Sequence, residues 1–119
     1  MTARPDPRAF LPLSDPVFHI LLSLADAPRH GYGILLEVEA RAGDAVRLGT
    51  STLYTALKRL LQEGLVEEAP APGGDVDPRR QRHYRLTALG REVVRAEARR
   101  LEGLVRQARG KRVLGEAAP

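Results

Sequence analysis

Apolar residues recur at helical spacing as far as Gly64, alternate with polar ones just before Thr87, and then return to helical spacing. This double switch of period limits the possible folds more than any other feature of the chain. Upstream of Gly64 the sequence predicts three helices. Ser14-Asp15-Pro16 is a helix entry, a capping side chain followed by proline in the first turn. Val17, Phe18, Leu21, Leu22 and Leu24 then form the apolar side of a first helix that ends before Pro28. A second is expected from about Gly31 to Ala42, with Ile34, Leu35 and Val38 inward and Gly43 as its stop. A third begins near Thr50 and stops at Gly64.

Downstream, Leu65-Val66-Glu67-Glu68 reads as a short strand and "APAPGGDVDP" as turn material. "RRQRHYRLT" alternates, with Tyr84 and Leu86 on one face and His83 and Arg85 on the other, as a half-exposed strand should. The two strands make a β-hairpin with a long tip. A last helix starts at a Thr87 cap and runs to about Arg109. The order α-α-α-β-β-α predicts a mostly α fold with a β wing: a winged helix-turn-helix with a C-terminal dimerisation helix. The expected divisions are a flexible arm at 1–13, broken by Pro5, Pro7 and Pro12, and a DNA-binding domain at 14–87. A dimerisation helix at 88–109 and a frayed tail at 110–119 follow.

Composition narrows the function. With no cysteine, disulfides and thiol-ligated metals are excluded. The longest apolar run, Ile20-Leu21-Leu22, is far short of a membrane span, and the proline-broken N-terminus is no signal peptide, so a cytoplasmic protein with no membrane partner is expected. A formal charge of +4 favours anionic partners such as phosphate. His19, His30 and His83 fall on different elements without a paired spacing, so no metal site is predicted. Gly31-Tyr32-Gly33 has Leu36 where a dinucleotide loop needs its third glycine, and Ser51 lacks a nucleophile-elbow motif. No catalytic, cofactor or metal residues are assigned, and the chain is read as a non-enzyme.

On a wheel of residues 50–64, Leu53, Leu57, Leu60 and Leu61 share one narrow arc. Thr52, Thr55, Arg59 and Gln62 lie opposite, flanked by Ser51 and Lys58, with Tyr54 at the border. A solvated helix face usually pairs acids with bases, yet here no acid occurs before Glu63. Hydroxyls can serve phosphate; arginine suits guanine, glutamine suits adenine, and threonine methyls suit thymine. "RRQRHYR" adds Arg79, Arg80 and Arg82 at the place where a wing would reach DNA. The alternative is a winged-helix protein–protein interaction module without sequence-specific DNA binding.

The last helix carries a wide stripe of Leu89, Val93, Val94, Leu101, Leu104 and Val105, more than the remaining core needs, which argues for a second chain. Glu92, Glu97 and Glu102 alternate with arginines as an outer, salt-laced face.

Three segments, "ILLSLADAPRHGYGILLEVEARAG", "TSTLYTALKRLLQEGLVEE" and "RQRHYRLTALGREVV", resemble the PadR family of bacterial transcriptional regulators in order and spacing. The specific features are His30-Gly31-Tyr32-Gly33, Thr52-Leu53-Tyr54 and Tyr84 with Leu86-Thr87 and Gly90. The resemblance implies a homodimeric repressor whose third helix enters the major groove of double-stranded DNA at a pseudo-palindromic operator. It implies helix contacts from Ser51, Thr52, Tyr54, Thr55, Lys58 and Arg59, wing contacts from Arg79, Arg80 and Arg82, and a backbone contact from Tyr32. It further implies dimerisation through the last helix and the N-terminal one, placed here on Phe18, Val94, Leu101, Leu104 and Val105. Some members bind phenolic acids or lipophilic drugs between subunits, so a small-molecule effector is a candidate partner. With no tryptophan, and Phe10 and Phe18 as the only phenylalanines, an aromatic-lined pore is disfavoured.

Overall fold

The computed structural model describes residues 5–71 and 82–115. Helices α1 (Asp15–Ser23), α2 (Gly31–Ala42) and α3 (Thr50–Gln62) precede strands β2 (Val66–Ala69) and β3 (His83–Leu86), and α4 (Ala88–Gly110) follows. A two-residue strand β1 (Arg29–His30) leads into α2. The sheet is antiparallel in the order β1-β3-β2, with His30 opposite His83 and Glu67 opposite Arg85.

Three of the four helices start on a side chain that accepts from an early amide, whereas α3, entered at Gly49, has no side-chain cap. The Ser14 hydroxyl accepts from the Val17 amide at 3.4 Å, His30 Nδ1 from Gly33 at 2.9 Å, and the Thr87 hydroxyl from Gly90 at 3.0 Å. α3 ends in a Schellman motif: the Leu65 amide donates to the Leu60 carbonyl, and Gly64 to Leu61. Gly64 makes this possible with a φ of 76°. The Thr87 hydroxyl also donates to the Gly64 carbonyl at 2.6 Å, which ties the start of α4 to the end of α3. A Cβ at Gly90 would land on the Leu65 carbonyl oxygen, so that junction requires glycine.

The core gathers the inward faces of all four helices and the sheet. Ile20, Leu21, Ile34, Leu53, Leu57 and Val93 are almost completely buried within it. Arg41 braces α2 against α1, donating from Nη2 to the His19 carbonyl at 3.0 Å and to Glu37 at 2.9 Å. The Arg41 hydrogen bond holds the Glu37 carboxyl below its usual pKa, with burial opposing it.

Four expectations need correction. Residues 29–30 pair with β3, so the hairpin is part of a three-stranded sheet. That third strand also moves His83 from the exposed side to the interior: it is 6% exposed, with the His30 ring edge-on at 5.3 Å. The flexible arm is not borne out for its described part. Pro7–Phe10 forms a 3-10 turn capped by Asp6 and packed on α4. The reason is both apolar and polar: Phe10, Leu11 and Leu13 pack against the core, and the Leu13 amide donates to Glu97 at 2.7 Å. Glu97 therefore leaves the outer face predicted for it and is 1% exposed.

Candidate nucleic-acid interface

α3 positions the candidate site because its leucines can satisfy the core only by turning the other side outward. Leu53, Leu57 and Leu60 are buried, while Ser51, Thr52, Thr55, Lys58, Arg59 and Gln62 are all exposed. These six predicted contact residues are thus brought together on one open face. Arg59 keeps 78% of its side chain in solvent, with its Nε 3.4 Å from Glu63 one turn on. Such a pair between exposed groups contributes little to stability, so Arg59 can exchange partners.

Tyr54 sits between the face and the body. Its ring is 46% exposed, yet its hydroxyl lies over the start of α2 so closely that a Cβ at Gly31 would strike it. A side chain at 31 would therefore require the Tyr54 ring to move. Tyr54 also lies near the buried Tyr84 of β3. Burial raises the Tyr84 pKa; a hydrogen bond from Arg82 partly offsets this, and the Tyr54 phenol adds a smaller upward push. The Tyr54 hydroxyl ties α3 to the start of α2. Tyr32, 56% exposed, stacks nearly parallel to the His30 ring at 6.5 Å.

On the wing, Arg82 is exposed as expected; Arg79 and Arg80 lie outside the described residues. Acids stand beside the described wing arginines. Arg82 Nε stands 3.2 Å from Glu68, and Arg85 Nε 3.0 Å from Glu67. The signal was in the sequence: an antiparallel partner of an arginine-rich strand that itself reads Val66-Glu67-Glu68 must set those acids beside the arginines.

The predicted dimerisation set divides. Leu101, Leu104 and Val105 are exposed large apolar residues on the far half of α4. Phe18 is half-buried against the chain's own core, and Val94, 8% exposed, is part of that core. Val94 lies on the near half of α4. Among the described residues there is no cluster of three or more potential metal ligands. No helix there is long and apolar enough to cross a membrane.

Three helices, a sheet wing and an outward-facing third helix define a winged helix-turn-helix protein. Residues 20–96 match the transcriptional regulator PadR-like family, and the chain belongs to that family. It is 42% identical over 89 residues to an uncharacterised 37.1 kDa protein in transposon Tn4556 of Streptomyces fradiae, a match covering 72% of this chain and 24% of that one. It is 33% identical over 73 residues to an uncharacterised protein of Lysinibacillus sphaericus, covering 60% and 64% respectively. The chain thus spans about a quarter and somewhat under two thirds of these curated relatives. Among solved structures, a PadR-like regulator from Bacillus cereus superposes with a TM-score of 0.64 at 20% identity, over 85% of this chain and 93% of that one. PadR of Bacillus subtilis, in complex with operator DNA, superposes at 0.60 with 23% identity, over 70% and 46%. These likenesses concern the fold.

Proposed function

We propose that the protein is a cytoplasmic DNA-binding repressor that acts as a homodimer on a pseudo-palindromic operator. One observation carries the reading: α3 devotes its leucines to the core and leaves hydroxyls, Lys58, Arg59 and Gln62 together in solvent. In this reading Ser51, Thr52, Thr55 and Lys58 hold the backbone, Arg59 and Gln62 read base edges, and Tyr32, Tyr54 and Arg82 add flanking contacts. Arg79 and Arg80, placed by the sequence at the wing tip, extend the same role. Support also comes from the Bacillus subtilis relative, whose solved complex contains operator DNA. Exposed Leu101, Leu104 and Val105 supply the surface on which two copies would meet, and two-fold symmetry in the protein asks for it in the site. No chemical step is assigned to the protein.

The test is binding to duplex DNA from upstream of its own gene, titrated with salt, with random duplex as control. The expected outcome is tighter binding to the upstream fragment, with affinity falling by about 0.9 log units per log unit of salt for each neutralised phosphate. A surface that instead docks another protein would show a shallow salt dependence and no preference between the duplexes.

A further inference from the structure

We propose that Gly31 is a positioning residue for DNA binding: it makes room for the Tyr54 ring and so keeps that ring off the hydroxyl-bearing end of α3. The inference rests on the DNA-binding reading above and adds to it a residue that itself touches no DNA.

The glycines of this chain are there for different reasons. Gly43 and Gly64 have φ of 56° and 76°, a backbone that itself favours glycine. Gly31 does not: it is the buried first residue of α2, and its φ is not positive, so the backbone there would accept alanine. At Gly90 an added Cβ would meet the carbonyl oxygen of Leu65, an obstacle made of backbone. At Gly31 the obstacle is a side chain. The Cβ would collide with the Tyr54 hydroxyl and come within 2.8 Å of its Cζ and 3.1 Å of its Cε1. These atoms are the far end of a side chain that is 46% exposed, so they can swing aside while the backbone stays in place.

The geometry of a helix says where the ring would go. Helical side chains lean toward the N-terminus and cover the turn that precedes their own Cα. For Tyr54 that turn holds Thr50 and Ser51, and Lys58 is its neighbour one turn on. With glycine at 31 the hydroxyl rests on the start of α2, and both Ser51 and Lys58 stay exposed. These two residues hold the DNA backbone in the reading above. Alanine at 31 pushes the ring away from α2 and outward over Ser51, where a bulky phenol excludes a phosphate. Phosphate contacts are common to every duplex, so operator and random DNA should lose affinity alike.

The experiment introduces Gly31→Ala into wild-type protein and into the Tyr54→Phe and Tyr54→Leu backgrounds. Each protein is melted, then titrated with the upstream fragment and with random duplex at one salt concentration. In the wild-type background the alanine should leave the melt almost unchanged and weaken both duplexes by roughly five- to thirtyfold. In Tyr54→Leu, which has no ring to displace, it should change affinity by less than about twofold. Tyr54→Phe loses the hydroxyl collision but keeps Cζ, so its penalty should fall between the two. If Tyr54→Leu binds too weakly to measure, the Tyr54→Phe pair decides, because the penalty there must be smaller than in wild type. An equal loss in every background would place the effect in α2 itself and overturn the proposal. It is also overturned if the alanine leaves affinity unchanged, or if the melt falls along with affinity, since Gly31 would then serve the fold. Each of these outcomes leaves DNA binding by the wild-type protein intact. Wild-type protein that binds neither duplex removes the parent reading, and this one with it.

Discussion

α3 and the far half of α4 are both amphipathic, and both turn one face to solvent, but the faces left over are chemical opposites. α3 puts Leu53, Leu57 and Leu60 into the core and exposes hydroxyls and cations. α4 spends Val93 and Val94 on the core over its near half and then continues beyond it, exposing Leu101, Leu104 and Val105. A polar face with few acids suits a phosphate-bearing partner; an exposed apolar stripe suits a second apolar surface. In a small winged helix the leftover face of each helix is therefore more distinctive than the apolar part of the buried one, which is leucine in α3 and valine in α4.

The comparison can be broken most sharply in the core. Leu53→Ala should cost about 2–5 kcal/mol of stability, read from denaturant unfolding, because Leu53 is fully buried and its removal leaves a cavity. Leu104→Glu should leave the thermal melt of the folded chain almost unchanged, yet weaken self-association by about 2–4 kcal/mol in analytical ultracentrifugation. A large loss of melting temperature with no change in mass would place Leu104 in the chain's own core instead.

Glu97 marks the boundary between the two halves of α4. Its carboxyl lies below its ordinary pKa because of the Arg100 hydrogen bond, opposed by burial and aided by the Leu13 amide. A depressed carboxyl contributes stability that is present above its unfolded value, near 4.3, and is lost as pH falls through the folded value. Glu97→Gln should therefore cost about 1–3 kcal/mol at neutral pH. The gap from wild type should close progressively in acid; a gap independent of pH would show that the charge is unimportant. Arg59→Ala should lower operator affinity by about 1–3 kcal/mol and relax preference at about one base pair. Its effect on folding should be the smallest of these, within about 0.5 kcal/mol. Equal losses on operator and random duplex would assign Arg59 to phosphate.

Much of this was legible beforehand because it depends on near neighbours in the chain. The Ser14 and Thr87 caps, the Gly43 and Gly64 stops and the two faces of α3 all follow from residues within a turn or two of each other. The family motifs at His30-Gly31-Tyr32-Gly33 were legible too, although not the reason for Gly31, which is a tyrosine more than twenty positions away.

What the sequence determined by itself was the succession of elements, their ends and the chemistry of each face, since period, cap and charge act locally. Only the tertiary structure decided which faces would be covered. His83 is interior because β1 pairs alongside it; Glu97 is buried because the chain folds back to bring Leu13 to it from 84 positions away. The wing arginines are shared with acids because the register sets Glu67 opposite Arg85. Each of these depends on where a distant segment comes to rest, and that is settled by packing of the whole core rather than by any local preference.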